Sequence, residues 1–293
     1  MSQPEQVGFN WCYHTRTRIN SFLTKGKFVN VNFSYSDADI AELLSEFTDP
    51  QTREALELAS LPEILVGATY FIDVGANVGQ YVFHAAKYLR NAKVVAVEAN
   101  PLLIPELTNT VQRLRSSDSD NEFEVKAAAV SDIPERLKFH ISKYPTLSSM
   151  FPNGTVETVD VPTVTLDYFY RESEHTVIKI DVEGAEYRAV RSGQRFLQSN
   201  CTTFFVELHS WGDRNLGKYP LHVCWLFMRR GYSLRKVGTH YLFHKASFFR
   251  RVSSFSGQFP ALAMKYLICR YGGFLRPTID RLRRRITVGG RAR

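Results

Sequence analysis

The chain of 293 residues is predicted to fold as an α/β protein with a mostly parallel sheet covered by helices on both faces. Three observations carry this expectation. Short, almost wholly apolar runs recur between Tyr70 and Leu208. Stretches of helical period separate them. A glycine-bearing turn closes the first run. Strands buried on both faces read as continuous apolar runs, and their alternation with amphipathic helices is the pattern of a parallel sheet.

The elements are expected in this order. Lys27–Phe33 alternates and suits an edge strand or hairpin. Ser36 or Asp37 can cap a helix that carries Ile40, Leu43, Leu44 and Phe47. A second helix near Gln51–Leu61 should stop before Pro62. Tyr70–Val74 is the first core strand, followed by a helix at Gly79–Leu89. Lys93–Glu98 and a helix at Leu103–Leu114 come next, then a third strand at Phe123–Val130. Val177–Asp181 is the fourth strand, Ala185–Leu197 a helix, and Thr203–Leu208 the fifth strand. A helix at Leu221–Arg230 precedes a terminal hairpin, Tyr232–Lys236 and His240–His244. The stretch between the third and fourth strands is too long for a plain crossover. Its Leu137–Ile141 and Thr155–Phe169 read as a hairpin or loop over the carboxyl edge of the sheet. The expected divisions are therefore an N-terminal cover (1–69), a main domain (70–247, with the insertion at 137–169) and a C-terminal tail (248–293).

Apolar residues at 44% and charged residues at 23% exclude a wholly disordered or fibrous chain. No window supplies the roughly 18 apolar residues of a membrane span. No apolar leader core opens the chain, so no secretory signal is expected. Cys12, Cys201, Cys224 and Cys269 form no CxxC pair, which argues against a zinc knuckle and suits reduced thiols in the cytoplasm. The net charge of +8 is uneven. The tail from Ala246 onward holds eleven Lys/Arg and one acid, leaving a net of −2 on the rest. The basicity thus belongs to the tail, and the sequence pI of 9.3 is no argument for nucleic-acid binding by the main domain.

Three segments carry the chemistry. Asp73-Val74-Gly75-Ala76-Asn77-Val78-Gly79 is a strand-to-helix turn whose glycines let backbone approach a ligand. Its GxxxG spacing differs from the GxGxxG of dinucleotide-binding turns and suits a ligand without phosphates. Glu98 ends the second strand, where an acid can accept hydrogen bonds from two ribose hydroxyls. Lys179-Ile180-Asp181-Val182-Glu183-Gly184-Ala185-Glu186 opens a helix after the fourth strand.

Together these segments resemble the FkbM family of S-adenosylmethionine-dependent methyltransferases. Ala128–Asp132, Leu147–Met150, Val164–Asp167 and Val206–His209 add to the resemblance, which covers roughly 70–245. It implies a Rossmann-like class I methyltransferase fold: a three-layer αβα sandwich on a mostly parallel seven-stranded sheet with a terminal antiparallel hairpin. It also implies methylation with S-adenosyl-L-methionine as cofactor, usually on an oxygen of a sugar or secondary metabolite. Carried over by position, Asp73, Gly75, Asn77 and Gly79 would shape the methionine and ribose pocket. Glu98 would hold the ribose, and Asp132 could reach the adenine amino group.

Transfer to a hydroxyl needs in-line alignment, exclusion of water and a route for the proton. Asp181, Glu183 and His209, with Glu186 and Glu207 near them, gather at the carboxyl strand ends where α/β sheets bind ligands. His209 can titrate near neutrality, and neighbouring carboxylates can raise one another's pKa. Glu186 could equally face solvent on the first turn of a helix. The same side chains are ligand types for a divalent ion, but the sequence does not fix three that converge, so no metal is assigned. The expected partner is a small-molecule or glycan acceptor. The tail mixes Phe248, Phe249, Phe255 and Phe259 with basic residues, which suits peripheral contact with an anionic membrane as well as simple packing. Nucleic acid is not expected. The alternatives kept open are a methyltransferase-like binding protein docked at membranes by its tail and a nicotinamide-dependent oxidoreductase.

Overall fold

The computed structural model describes residues 21–24, 27–30, 34–45, 54–258, 260 and 262, apart from 118, 134–135, 145–146, 153 and 210–219. The chain opens with β1 (Ser21–Thr24) and β2 (Lys27–Asn30), then α1 (Asp37–Ser45) and α2 (Ala55–Ile64). The central run is β3 (Tyr70–Val74), α3 (Gln80–Ala86), β4 (Lys93–Glu98), α4 (Ile104–Arg115), β5 (Glu122–Ala127) and β6 (Ala129–Val130). Next come β7 (Arg136–Ser142), β8 (Thr155–Val164), β9 (Thr176–Ile180), α5 (Glu186–Arg191) and α6 (Gln194–Gln198). The last are β10 (Thr202–Glu207), α7 (Pro220–Arg229), β11 (Tyr232–Val237) and β12 (His240–Lys245).

Among the described residues the main sheet has seven strands in the order β11-β12-β10-β9-β3-β4-β5. The pairs β10–β9, β9–β3, β3–β4 and β4–β5 are parallel, and β12 runs antiparallel between β10 and β11. The chain therefore leaves β3 towards β4 and later returns on its other side as β9. That reversal opens a crevice beyond the carboxyl ends of β3 and β9, where such sheets hold ligands. Every residue of β3 and β9 is buried, as apolar runs covered on both faces require. One face packs Ile72, Ile178, Phe204, Phe227 and Phe243, with Phe227 stacked on Phe243 at 3.9 Å. The other packs Phe71, Val82, Leu107 and Phe205. Full burial of one such side chain stabilises the fold by about 1.5–3 kcal/mol.

The insertion forms a separate three-stranded sheet, β6-β8-β7. Leu137, Phe139, Ile141, Val159 and Val161 turn inward onto Tyr35, Ile40 and Leu43 of the N-terminal segment. Ser36 caps α1 through a reciprocal box: the Asp39 N–H donates to Ser36 Oγ, and the Ser36 N–H to Asp39 Oδ2. The expected hairpin near 27–33 is β1–β2, and Val31–Phe33 lie outside the described residues.

Three expectations need correction. Helix α2 runs through Pro62 to Ile64, because burial of Leu58, Leu61 and Ile64 outweighs the one hydrogen bond that proline removes near the helix end. The third strand breaks at Ala128, whose N–H donates to Glu98 O, and β6 leaves the main sheet to pair with β8. The helix after β9 divides at Gly193, where a Cβ would meet Leu166 at 2.7 Å.

Residues 248–258 form a helix packed on the main domain. The Leu234 N–H donates to Ser254 Oγ, and Phe255 and Leu262 join the core face of α7 and β11. Phe248 and Phe249 face outward. Phe259 and most of the expected tail lie outside the described residues. Among the described residues no helix is long and apolar enough to cross a membrane.

Candidate functional site

The turns after β3 and β9 touch back to back. Gly75 has φ +78, and a Cβ on it would lie 1.7 Å from the carbonyl oxygen of Asp181. Only glycine permits that approach. The Gly75 and Ala76 N–H groups donate to Val97 O, and the Asp181 N–H donates to Val74 O. Asn77 (φ 53) and Glu183 (φ 51) are left-handed, so each turn carries strained backbone next to the crevice.

Between them lies a cavity of about 360 Å³, within the usual size of small-molecule sites. Gly75, Asn77 and Glu98 line it together with Asp181, Glu183 and His209. Val78, Leu103, Phe139, Leu147 and Met150 add apolar walls, the last three of them from the inserted hairpin and its loop.

Glu98 joins two loops. Its Oε2 accepts the Asn77 N–H at 2.8 Å, and its Oε1 accepts the Asn100 N–H at 2.6 Å. Each oxygen keeps a further lone pair for a ligand hydroxyl. Burial raises its pKa, against the opposing pull of those two N–H groups. Asn77 Oδ1 is buried with no hydrogen-bond partner, an acceptor awaiting a donor. Asn100 Nδ2 donates to Tyr35 Oη at 3.0 Å, which ties the N-terminal segment to the cavity rim.

Asp73 and Gly79 do not line the cavity. Asp73 is fully buried beneath it, facing Lys179 Nζ at 3.3 Å. Burial pushes its pKa up to about 6, although Lys179 pulls the other way. Gly79 starts α3 at φ +95, and a Cβ there would crowd Leu107 and Thr110 at 3.1 Å. Its role is packing. Asp132 does not line the cavity either. Its carboxylate pairs with Arg188 at 3.2 Å and Arg191 at 3.3 Å.

Lys179 was not singled out. A lysine inside an otherwise apolar strand was the signal that could have found it. Its Nζ donates to Gly75 O at 3.0 Å and lies 3.7 Å from Asp181 Oδ2, so one cation locks both turns. Burial favours its neutral form, but Asp73 and Asp181 hold its pKa above the ordinary value.

The catalytic candidates do converge. His209 Nδ1 lies 2.7 Å from Glu186 Oε1, and the same oxygen accepts the Gly184 N–H at 2.9 Å. Glu186 is therefore buried and does not face solvent. His209 Nε2 lies 3.4 Å from Glu183, and 3.9 Å from both Asp181 and Glu207. Burial favours the neutral ring, but these carboxylates prevail and lift its pKa to about 10. The carboxylates thus move His209 upward, away from the expected titration near neutrality. Burial raises the pKa of Glu183; Asp181, Glu186 and Glu207 add to this, and His209 opposes it. Burial also opposes ionisation of Asp181, yet Lys179 and His209 hold it below the usual carboxylate range.

The Methyltransferase FkbM domain matches residues 73–234, over half of the chain. No curated protein matches. Among solved structures the chain is similar to a methyltransferase FkbM from Methylobacillus flagellatus, at 14% identity and a TM-score of 0.43, over 72% of this chain and 56% of that one. It is similar to a putative O-methyltransferase from Klebsiella pneumoniae at 12% identity and a TM-score of 0.37, over 72% and 91%. It is also similar to the B. subtilis M1A22 tRNA methyltransferase TrmK, at 10% identity and a TM-score of 0.40, over 79% and 83%. The chain thus spans little more than half the length of the Methylobacillus protein. The family match sets the nicotinamide reading aside, and from it follows the identity of the fold: this chain belongs to the FkbM family of methyltransferase domains.

Proposed function

We propose that this protein uses S-adenosyl-L-methionine to methylate a hydroxyl oxygen of a sugar, glycan or secondary-metabolite acceptor. One observation carries the proposal: a single cavity joins a ribose-type acid and an orphaned amide acceptor, Glu98 and Asn77, to a carboxylate and histidine cluster. The residues present suit the cofactor. Glu98 offers lone pairs to a ribose diol, and Asn77 Oδ1 offers an acceptor to an amino group. Leu103 and Val78 offer apolar walls to a base.

The bound cofactor supplies a methyl carbon activated by an adjoining sulfonium charge. The chain aligns the acceptor against it and removes a proton. Glu183 is the better proton acceptor, because its raised pKa brings it towards the working range. The charged His209 neutralises the acids around that proton. Asp181, on the Lys179 side, orients the acceptor hydroxyl. Phe139, Leu147 and Met150 keep water from the reacting atoms. Cytoplasmic residence, with peripheral membrane contact through 248–293, goes with this reading, and fractionation of cells expressing the full chain tests it.

Transfer of labelled methyl to a panel of glycoside and polyketide alcohols tests the reaction. Glu183→Gln and Asp181→Asn should each lower turnover roughly 10²–10⁴-fold with cofactor affinity nearly unchanged. Normal turnover in both variants would place the base elsewhere.

A further inference from the structure

Asp181 and Glu207 line the cavity, and His240, which the expected chemistry does not use, joins them in a second cluster. Glu207 ends β10 and His240 opens β12, and the two are direct partners across the antiparallel pair. Asp181 follows the neighbouring strand β9. Ligand atoms of Asp181, Glu207 and His240 all lie within 4.8 Å of one another, and those of Asp181, Glu183 and His209 do the same. Asp181 belongs to both groups.

His240 is fully buried. Its Nδ1 lies 3.1 Å from Thr239 Oγ1 and 3.8 Å from Glu57 Oε1, which leaves Nε2 to the cluster. That Nε2 is buried with no hydrogen-bond partner, and so is Asp181 Oδ1. Buried polar atoms are normally paired, so an orphaned nitrogen and an orphaned oxygen in one acidic cluster call for a cation between them. The other oxygen of Asp181 faces Lys179, and Oδ1 lies 3.9 Å from His209 Nε2, beyond hydrogen-bond distance.

The surroundings are built to hold the ring. Glu57 is itself buried, and its carboxylate occupies the space that a Cβ on Gly238 (φ +56) would need. Thr239 donates to it through both N–H and Oγ1. A carboxylate behind the remote nitrogen is how metal-binding histidines are oriented. Glu186 stands behind His209 in the same way.

We infer that Asp181, Glu207 and His240 form a divalent-cation site, with His209 and Glu183 on its cavity side. Ligands about 2.0–2.2 Å from one ion lie at most about 4.4 Å apart. The ligand atoms of Asp181, Glu207 and His240 lie within 4.8 Å of one another, close to that limit, and on the cavity side His209 Nε2 lies 3.4–3.9 Å from Glu183, Asp181 and Glu207. Imidazole together with carboxylate selects a first-row transition ion such as Mn²⁺ or Zn²⁺ over Mg²⁺ or Ca²⁺. One consequence rests on the methyl-transfer reading: beside the cavity, the ion would hold the acceptor oxygen and ease loss of its proton.

The test uses the full chain, stripped with EDTA. Mn²⁺ is titrated and followed by electron paramagnetic resonance, and Zn²⁺ by calorimetry. S-adenosylhomocysteine is titrated in parallel. One ion per chain is expected from at least one metal, with affinity falling at least tenfold in His240→Gln and in Glu207→Gln. Glu57→Gln, behind the ligand, should lose roughly 10–100-fold in metal affinity and keep its S-adenosylhomocysteine binding. If His240→Gln does not fold, Glu207→Gln decides. Absence of stoichiometric binding of either metal, or wild-type affinity in the folded variants, overturns the site. Metal binding without S-adenosylhomocysteine binding would support the cation site and defeat the methyl-transfer reading alone.

Discussion

Replacing Lys179 by Met should destabilise the protein by about 3–5 kcal/mol at neutral pH, the usual cost of breaking a buried ion pair from one side. The side chain is 3% exposed and the Asp73 partner 0%. Met fills similar volume, so the loss is electrostatic: the Asp73 pair, the Asp181 pair and the bond to Gly75 O. The pH dependence makes the test sharp. Asp73 has a folded pKa of about 6 against an ordinary 3.8, so its contribution to stability is full at low pH and is lost as pH rises through 6. Without Lys179 that folded pKa climbs further. Between pH 6 and pH 8 the variant keeps a proton that the wild type, half ionised at pH 6, goes on to release. Its penalty should grow slowly at first and by about 1.4 kcal/mol per pH unit above pH 7, or about 2 kcal/mol over the interval. Urea unfolding followed by circular dichroism at pH 6, 7 and 8 measures this. Adding Asp73→Asn should remove most of the slope. A penalty below about 1 kcal/mol at pH 8, or one that does not change with pH, would refute the reasoning.

Three further outcomes are expected. Gly75→Ala puts a Cβ 1.7 Å from a backbone oxygen at φ +78 and should cost more than about 4 kcal/mol; an unchanged melting temperature would show that the two turns do not abut. Burial of Glu57 opposes its charge, but His240 and Thr239 hold its pKa at about 2 against an ordinary 4.5. Its contribution is therefore present above pH 4.5 and lost as pH falls towards 2, so the difference in urea midpoint between wild type and Glu57→Gln should shrink from pH 5 to pH 3. Tyr35→Phe removes the acceptor for Asn100 Nδ2 and the donor to Ser142 O; it should cost about 1–2 kcal/mol and speed amide exchange in 35–45.

The sequence was most legible where the chain is most uniformly apolar. Strands β3 and β4 match their expected limits, and β9 and β10 lie within one residue of theirs, because strands buried on both faces carry an unbroken apolar signal. The antiparallel pair β11–β12 was equally readable, and so was the inserted β7–β8 hairpin except at its end, where β8 stops at Val164 and Leu166–Phe169 coil into a 3-10 helix. Legibility failed where tertiary contacts decide between local options. Pro62 stays inside α2 because three buried side chains hold it there. Val130 leaves the main sheet because Val164 offers it a partner. At the site, spacing identified Gly75, Asn77, Glu98, Asp181, Glu183 and His209 as cavity residues but could not show which way a side chain turns. Asp73 points beneath the cavity to Lys179, and Asp132 points away to two arginines. His240 and Glu57 carry no local signal at all. One sits at a hairpin start and the other in a helix far away in sequence, and only the packing of α2 on the turn at Gly238 joins them.

The most direct test of the proposed function is a calorimetric titration of the purified chain with S-adenosylhomocysteine, with NAD as the control ligand and Glu98→Gln and Glu98→Ala as control variants. Saturable binding of one ligand per chain, weakened at least tenfold by both substitutions, with no heat from NAD, is the expected result. No S-adenosylhomocysteine binding by the folded wild type, or binding indifferent to Glu98, would contradict the assignment of this cavity to the methyl donor.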